Sequence, residues 1–579
     1  MYHHHSRHHI IAWGIACVFL SSCSLTSAST GSYSYQSGTL LEKKDFSSIL
    51  YHDFFYQSQG GASDALLSKG SEKCLVIPVA FSDYSWSEKR LQDLNVAFNG
   101  TSEETHYWES IKSFYHKSSF SQLDFSFSII SPYTVDSTAA DFLIKSNDIN
   151  SSKSSVSSLM ASAIAAYKEK TGDFCKDFDV DGNGFIDAVY LIYACPDYAS
   201  AKDLGASDLA ERQGYWAYTA RDSATRANPA SPVGRSFTWA SYDFMYRGVT
   251  ERRSNESDIQ VDAHTYIHET GHLLGLDDYY SYTPNEDDYT NLNYKYYTPT
   301  GGLDMMDLNI LDHDAWSKLA LGWNKPYVVT SDLPFPLTVE LEESQIQGDC
   351  LLIPAYGESY NGSAFDEYLL VELYTPDGLN ALDGETKYAS AYKYPQGFFM
   401  PGVKISHIDA RIARNQSKSF TYLQDLSNFK TLLASSTSSS YYRVAASNTP
   451  NRSVKDGYRL IHLLEASGVN TFVNKDYATL WNNEYFYANN TSLFVPEDGR
   501  SDFSMKKFAS FFENQQSVAA PASSSISTLS SVSSSVTSTS VGLFNSGKAF
   551  GYDLRINGIK GNNVASVVTY KVSLTITKA

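Results

Sequence analysis

Three histidines and a glutamate lie close together in the segment HTYIHETGHLLGLDDYY at residues 264–280. His268 and His272 are four residues apart, so in an α-helix their side chains project from the same face. Two imidazoles on one face can bind a single metal ion, and Glu269 projects beside that face without reaching the metal. The spacing therefore predicts a zinc site in which Glu269 acts as general base on a water molecule activated by the metal.

A third ligand is predicted from the residues that follow this helix. Gly275 lies three residues after His272, where a glycine can take the left-handed conformation that ends a helix and reverses the chain. Asp278 lies three residues further on, and the turn would bring its carboxylate back toward the metal. The pattern HExxHxxGxxD is much rarer than HExxH alone. It predicts that Zn²⁺ is bound by His268, His272 and Asp278.

Other residues of this part of the chain offer alternative ligands. His264 lies four residues before His268, but a threonine follows it, so this frame lacks a base and His264 is expected to support the site or the fold. Asp277 adjoins Asp278, but its spacing is off by one residue. Glu286 would be the third ligand of a site formed with a second helix, yet the intervening sequence has no helical pattern. The remaining interpretation is a histidine-rich helix that binds no metal.

A second cluster of oxygen ligands lies in the segment DFDVDGNGFIDAVY at residues 177–190. Numbered from Asp179, the loop agrees with the calcium loop of an EF-hand at every position except the last, where Tyr190 stands in place of a bidentate glutamate. A strand follows the loop and no helix closely precedes it, so we expect a calcium-stabilised turn, with a solvated acidic turn as the alternative. Asp177 offers a further oxygen. The predicted calcium ligands are Asp179, Asp181, Asn183, the carbonyl group of Phe185, and Asp187.

The elements predicted around these motifs change in character near Pro326. Before this point strands and helices alternate, which indicates an α/β layer; the strands are predicted at 74–82 and 123–130, and the helices at 104–117 and 154–172. After it, helical periodicity nearly vanishes and short apolar or alternating runs predict an all-β region, most simply a sandwich. We therefore expect an α/β (α+β) domain followed by an all-β, sandwich-like domain. The predicted divisions are a signal peptide at 1–23, a polar tether or pro-segment at 24–70, a catalytic domain at 71–325, and a β-rich domain at 326–579 with a disordered Ser/Thr-rich loop at 515–541.

The N-terminus has the pattern of an export signal. A polar start with Arg7 precedes an apolar run from Ile10 to Leu20, which is shorter than the ~20 residues that span a bilayer but fits the core of a signal peptide. The run ends in Leu-Ser-Ser-Cys, which resembles the bacterial lipobox, so Cys23 is expected to be lipidated. A plain signal peptide is the alternative. We expect a lipoprotein at the bacterial cell surface, or a fully secreted protein, that contacts the membrane only through the lipid anchor.

The composition excludes one large class of partner. The 579 residues carry a formal net charge of -19, which argues against nucleic acid, since phosphate contacts need clustered lysine and arginine. The four cysteines after residue 23 form no CxxC pair, so a zinc–thiolate site is not expected, whereas one or two disulfides are allowed. We expect a monomer.

The segment from His268 to Tyr280 resembles the immune inhibitor A family of secreted bacterial metalloproteases, a metzincin-like group whose motif runs HExxHxLGLPDxY. Asp277 stands where the family commonly has proline. The segment GGLDMMDLNILDHDAWSKLALGW at 301–323 is similar to the family's GxWDMM segment and the helix after it. By this likeness Met306, or else Met305, is the Met-turn residue that forms an apolar floor beneath the zinc.

A weaker likeness to the family extends from about Cys74 into the β-rich region, including the stretch 402–410. The family has an acidic segment similar to 177–190, which favours a structural Ca²⁺. The resemblance implies a zinc endopeptidase that hydrolyses extracellular proteins or glycoproteins. The rival hypothesis is a surface adhesin or glycan-binding lipoprotein on an inactive metalloprotease-like scaffold, which would not need Glu269. His407 is expected to be structural, and the sequence selects none of the tyrosines at 279, 280 and 282 as an oxyanion stabiliser.

Overall fold

The computed structural model describes most of the chain. The predictions for the signal peptide at 1–23, for Cys23, for Tyr282 and for Glu286 fall outside the described residues. The described residues are 33–34, 40–58, 65–105, 108–145, 150–246, 261–280, 298–358, 360–386, 395–416, 419–437, 439–449, 453–455, 457–470, 488–518, 539–564 and 567–579.

Helices and strands are both present, and strands predominate. The α-helices of the described residues are α1 (Glu88–Asn99), α2 (Ile111–Ser118), α3 (Ala139–Phe142), α4 (Asn150–Thr171), α5 (His264–Leu273), α6 (Met305–Leu308), α7 (Ala315–Ala320), α8 (Ser344–Gln347), α9 (Ala381–Glu385) and α10 (Phe429–Ala434). The strands of the first half are β1 (Tyr33–Ser34), β2 (Leu40–Leu41), β3 (Gly70–Ala80), β4 (Leu123–Ile129), β5 (Tyr133–Thr134), β6 (Phe185–Ile186), β7 (Val189–Tyr193), β8 (Tyr218–Arg221), β9 (Val233–Gly234) and β10 (Ser236–Ser241). Those of the second half are β11 (Tyr327–Val328), β12 (Leu337–Glu342), β13 (Leu351–Pro354), β14 (Glu367–Tyr374), β15 (Gly402–Asp409), β16 (Ile412–Gln416), β17 (Ser419–Tyr422), β18 (Ser440–Val444), β19 (Ile461–Leu463), β20 (Asp502–Phe503), β21 (Asn514–Val518), β22 (Thr539–Leu543), β23 (Tyr552–Val564) and β24 (Val567–Lys578).

The first half of the chain is built on one mixed sheet with the order β4-β3-β7-β10-β8. The pairs β3–β4, β3–β7 and β7–β10 are parallel, whereas β8 runs antiparallel to β10. β7 and residues 74–80 of β3 are continuous buried apolar runs, because helices and loops cover both faces of a central parallel strand. β4 instead alternates buried and exposed residues. The predicted α/β layer is therefore present, and its last strand, β8, is antiparallel.

The second half contains a β-sandwich. A five-stranded sheet has the order β11-β13-β14-β15-β19, and a four-stranded sheet has the order β12-β24-β23-β20. Alternate residues of the two sheets meet in one buried apolar cluster, which includes Ile353, Val371, Leu341 and Leu574. This cluster is the sandwich core that the alternating runs of the sequence predict.

The two halves share a hydrophobic core across the predicted boundary at residue 326. The other face of the five-stranded sheet, with Leu352 and Leu370, packs in the same cluster as Trp316 of α7 and Tyr266 of α5. The β-rich half therefore supports the helix that carries the histidine motif. Among the described residues, no helix combines the length and the apolar character needed to cross a membrane.

Three expectations need correction. The helix expected at 104–117 begins only at Ile111, because the Ser110 side chain accepts a hydrogen bond from the backbone of Ser113 and caps it there. Residues 40–58 are no polar tether: Phe46, Ile49 and Tyr51 are buried in the shared core. The predicted disordered loop at 515–541 is too wide at both ends, since β21 and β22 pair as antiparallel strands through backbone hydrogen bonds that a polar composition does not reveal.

The cysteines give a fourth correction. The residues at issue are Cys74, Cys175, Cys195 and Cys350, and all four are buried and unpaired. No disulfide therefore joins them; Cys74 and Cys350 are buried in one apolar cluster, and Cys175 and Cys195 are buried in another.

Candidate metal centre

Helix α5 lies against the sheet of the first half and holds the histidine motif. Its own residues are almost all buried, because the helix is enclosed by the sheet, α2 and the β-rich half. Three hydroxyl contacts with distant elements fix its position: Tyr266 donates to the carbonyl group of Ser241 (2.7 Å), Tyr190 lies 3.0 Å from the hydroxyl group of Thr270, and Tyr115 donates to the carbonyl group of Ile267 (2.8 Å). The helix is thus a rigid support rather than a surface element.

The predicted ligand atoms converge at one point. Oδ1 of Asp278 lies 3.1 Å from Nε2 of His268 and 3.2 Å from Nε2 of His272. The two imidazole rings are perpendicular, with 4.8 Å between their centroids. Ligand atoms of the three side chains all lie within 4.8 Å of one another, as a metal site requires.

The outer nitrogen of each histidine is fixed by a backbone carbonyl group. Nδ1 of His268 lies 2.8 Å from the oxygen of Met305, and Nδ1 of His272 lies 2.8 Å from the oxygen of Leu276. A carbonyl oxygen only accepts hydrogen bonds, so each Nδ1 carries a proton. With Nδ1 held in this way, Nε2 of each ring faces the point where Asp278 meets them.

The turn after α5 returns Asp278 to the helix. Gly275 has φ +105°, in the region that glycine adopts without steric cost, and the helix ends just before it. The backbone N–H of Tyr279 then donates to the carbonyl oxygen of Met306 at 2.8 Å. Two successive carbonyl groups therefore hold the site: that of Met305 contacts His268, and that of Met306 holds Tyr279 beside Asp278.

Met306 also packs directly beneath the motif. A β-carbon added to Gly271 would lie 2.4 Å from Sδ of Met306, far inside van der Waals contact. The Met306 sulfur therefore occupies the space that any larger residue at position 271 would need. Of the two methionines, Met306 packs its side chain against Gly271 of the motif, and Met305 contacts His268 through its backbone carbonyl group.

Asp278 and the two histidines strongly affect one another's pKa values. Burial disfavours a charged imidazole, but the carboxylate of Asp278 outweighs burial and raises the pKa of His272 to about 10. Burial would also raise the pKa of Asp278, but the two histidines hold it well below its usual range. A buried anion facing two imidazole nitrogens binds cations strongly, and a proton and a metal ion would compete for the same place.

Glu269 lies beside the cluster and is bonded to a distant strand. The hydroxyl group of Thr219 on β8 is 2.9 Å from Oε2 of Glu269 and 3.0 Å from its backbone oxygen. Burial raises the pKa of Glu269, and the nearby histidines oppose this rise. The carboxylate is 5 % exposed, so a proton transferred to it stays inside the site.

Solvent reaches the cluster from one side. The side chains of His268 and Asp278 are 5 % and 4 % exposed, whereas that of His272 is 19 % exposed. His272 is therefore the most exposed of the three side chains.

The alternative ligands from the sequence lie elsewhere. His264 stacks on Trp108 with ring centroids 3.9 Å apart, and its two nitrogens face Asp262 (2.6 Å) and Asp383 (3.4 Å). Asp277 accepts a hydrogen bond from the hydroxyl group of Ser447 at 3.0 Å. Neither belongs to the three-residue cluster.

Two of the three neighbouring tyrosines can now be distinguished. Tyr279 is turned away, with its hydroxyl group 2.6 Å from that of Ser317. Tyr280 stacks near His268 at 6.4 Å between ring centroids. Burial, followed by the carboxylates of Asp278 and Glu269, raises the pKa of Tyr280 well above its usual value, so the phenol stays protonated beside the cluster.

The acidic loop brings three carboxylates together. Asp179, Asp181 and Asp187 have ligand atoms within 4.8 Å of one another. Asn183 lies in the loop beside them, where its side-chain oxygen accepts from the N–H of Phe185 at 2.7 Å. Phe185 itself belongs to β6.

Asp177 and His407 are not part of either cluster. Asp177 is exposed and lies 3.6 Å from the amine of Lys73. His407 on β15 contacts Glu367 on β14 at 2.9 Å, inside the β-rich half.

Sequence reasoning missed two residues that the fold brings to these clusters. Thr219 reaches Glu269 through the pairing of β8 with β10, which local spacing does not reveal. Glu72 on β3 adjoins the acidic loop, and its signal in the sequence is an acidic residue two positions before a continuous apolar run.

Comparison of the chain with protein-family models and with curated proteins finds no match to either. The chemistry of the clusters therefore carries the functional argument.

Proposed function

We propose that this protein is a zinc-dependent endopeptidase. The observation that carries the proposal is the meeting of ligand atoms of His268, His272 and Asp278 at one point. Glu269 is buried and close enough for the charges of these three side chains to shift its pKa. The three predicted ligand residues of the motif are the ones whose side chains meet, which supports the proposal.

The donor set fits zinc. Two imidazole nitrogens and one carboxylate oxygen are ligands that Zn²⁺ prefers, and three protein ligands leave a fourth position open. Atoms about 2.0–2.2 Å from a tetrahedral ion lie roughly 3.3 Å apart. The distances of 3.1 Å and 3.2 Å from Asp278 to the two histidines are close to that value.

Zinc in this site would act as a Lewis acid that lowers the pKa of a water molecule and polarises a peptide carbonyl group. Glu269 accepts the proton of the attacking water on its carboxylate and gives it to the leaving amine. Thr219 holds the carboxylate of Glu269 in one orientation through the contact at 2.9 Å. The low exposure of Glu269 keeps the proton from bulk solvent.

Strand β8 gives the site a means of holding a peptide. It carries Thr219 and is the last strand in the described order of its sheet. An extended peptide can add to such an edge through main-chain hydrogen bonds, which are independent of its sequence. An edge strand beside the general base suits a protein substrate better than a small molecule.

The proposal includes the wider resemblance. A metzincin-like catalytic region of the immune inhibitor A type, on a lipoprotein anchored through Cys23 or on a secreted protein, accounts for the motif, the Met305–Met306 segment and the signal sequence together. Extracellular proteins or glycoproteins are the substrates that this location implies.

Digestion of casein by the purified protein tests the proposal. We expect cleavage that a zinc chelator abolishes, and a loss of about 10²–10⁴-fold in Glu269→Gln, since that is the usual contribution of a general base. Zinc content should be unchanged in this variant, and Asp277→Asn serves as the matched control that keeps activity. Equal cleavage by wild type and Glu269→Gln contradicts the mechanism. Glycan or protein binding that survives zinc removal, without hydrolysis, would favour the adhesin.

A further inference from the structure

Glu72 is a buried carboxylate without a visible partner. It lies near the start of β3, its residue is 2 % exposed, and neither Oε1 nor Oε2 has a hydrogen-bond partner among the described residues. An ionised carboxylate in such a place is costly unless a cation or hydrogen bonds compensate it. The position of Glu72 therefore needs an explanation.

The groups that face Glu72 are the carboxylates of the acidic loop. Asp187 lies directly against it and Asp181 lies close by, and both raise the pKa of Glu72 after burial has done so. Two ionised carboxylates only accept hydrogen bonds, so they cannot satisfy each other. The pair is satisfied either by a shared proton or by a cation between the two groups.

A further oxygen in the same place is also unsatisfied. Oδ1 of Asp179 is buried without a partner, although Oδ2 of this residue accepts from the N–H of Gly184 at 3.0 Å. Oxygens of Glu72 and Asp179 are thus unpaired in the region where Asp179, Asp181 and Asp187 converge within 4.8 Å. The set has the chemistry of a site for a hard cation, which prefers oxygen ligands.

The acidic loop lacks the glutamate of its last position, and Glu72 on the neighbouring strand β3 offers a carboxylate in its place. In a calcium loop of this pattern the last position supplies a bidentate glutamate, but Tyr190 stands there and its hydroxyl group lies 3.0 Å from that of Thr270 on α5. β7 follows the acidic loop in the chain and pairs with β3, so Glu72 of β3 lies alongside the loop.

We propose that Glu72 takes the place of the missing glutamate and completes a Ca²⁺ site with Asp179, Asp181 and Asp187. The ion ties β3 to the loop before β7 and offsets much of the repulsion among the four carboxylates that the fold has brought together. Calcium fits better than zinc because all four proposed donors are carboxylates, with no imidazole or thiolate among them. The site is independent of the zinc centre and of the proposed peptidase activity.

Calcium binding to the purified protein tests this inference, with zinc supplied at one equivalent throughout. The probe is CaCl₂, and the readouts are the binding isotherm and the midpoint of thermal unfolding. We expect wild type to bind one calcium at this site and Glu72→Gln to lose at least about tenfold in affinity, because a neutral amide replaces a bidentate carboxylate. Asp177→Asn is the matched control, since it removes a charge from the same segment outside the cluster and should change affinity less than about twofold.

A second readout separates a lost ligand from a damaged fold. Without calcium, Glu72→Gln should be at least as stable as wild type, because its amide can donate to Asp187 and one source of repulsion is gone. With calcium, it should be the less stable of the two. His272→Ala should keep the full calcium response, which separates this site from the zinc centre.

Three outcomes would overturn the inference. They are the absence of calcium binding by wild type, an unchanged affinity in Glu72→Gln, and a loss of stability in this variant that is the same with and without calcium.

Discussion

The hydroxyl group of Thr219 lies 2.9 Å from Oε2 of Glu269, although the two residues are 50 positions apart. This contact joins the antiparallel strand β8 to the proposed general base on α5. We predict that Thr219→Val lowers kcat about tenfold, since a hydrogen bond to a charged group contributes roughly 1.5–3 kcal/mol, part of which is used in the transition state. Zinc content should not change, because Thr219 contacts no metal ligand. Steady-state kinetics with a peptide substrate and metal analysis measure the two effects.

The neighbouring threonine provides the control. Thr238 on β10 lies 2.9 Å from the hydroxyl group of Thr219, whereas the hydrogen bond to Oε2 of Glu269 comes from Thr219 itself. Thr238→Val should therefore cost less activity than Thr219→Val. Equal losses would show that packing of the strands, rather than the orientation of Glu269, is responsible.

The packing of Met306 against Gly271 gives a prediction about stability. Gly271→Ala places a methyl group where the sulfur lies, so we expect a loss of about 1–3 kcal/mol in the free energy of unfolding, although alanine favours a helix. Met306→Ala alone leaves a cavity and should also destabilise. The double variant should be more stable than the sum of the two losses predicts, because the smaller residue makes room for the added methyl. If the loss in free energy of unfolding of the double variant, measured by chemical denaturation, equals the sum of the two single losses, the contact between Met306 and Gly271 is contradicted.

The turn at Gly275 should affect zinc binding specifically. Alanine at a positive φ costs about 1 kcal/mol or more, and relief of this strain would displace the chain that leads to Asp278. We predict that Gly275→Ala weakens zinc binding at least tenfold, measured by competition with a chromogenic chelator. Gly172→Ala is the matched control: Gly172, at φ +84°, ends α4 in the same way far along the chain from the ligands. It should lower stability by a similar amount and leave zinc affinity unchanged.

The environment of His264 predicts a pH dependence of stability. Burial disfavours its charged form, but Asp262 and Asp383 outweigh burial and raise the pKa of His264 to about 9. Because the pKa of His264 in the fold lies above its unfolded value of about 6.5, the charged side chain stabilises the fold fully below about pH 6.5. This contribution is lost as the pH rises through about 9. The loss amounts to about 3 kcal/mol at most. His264→Gln should have a lower free energy of unfolding than wild type at pH 6. Between pH 6.5 and 9, urea titrations should show a smaller change in this free energy for the variant than for wild type. A parallel decline in both proteins would contradict this origin.

Local spacing was sufficient to predict that His268, His272 and Asp278 come together. His268, Glu269 and His272 are set by the periodicity of one helix, and Gly275 allows the turn that returns Asp278 to it. Such features depend on short-range geometry, which residue types encode directly.

Contacts that depend on strand pairing could not be predicted in the same way. Glu72 and Thr219 reach their clusters only because β3 pairs with β7 and β8 pairs with β10. The burial of Tyr51 against Trp316 likewise depends on two segments distant in the chain, so its polar surroundings in sequence suggested a tether. The mixed α/β layer and the β-rich second half followed from the patterns of apolar residues, whereas these long-range contacts did not.

The central claim is that His268, His272 and Asp278 bind one zinc ion. Crystals of the purified protein, measured on both sides of the zinc absorption edge, locate the ion directly. The account predicts a single anomalous peak in the motif, about 2.0–2.2 Å from Nε2 of both histidines and from a carboxylate oxygen of Asp278. A zinc ion with a different third protein ligand, while Asp278 faces solvent, would contradict it.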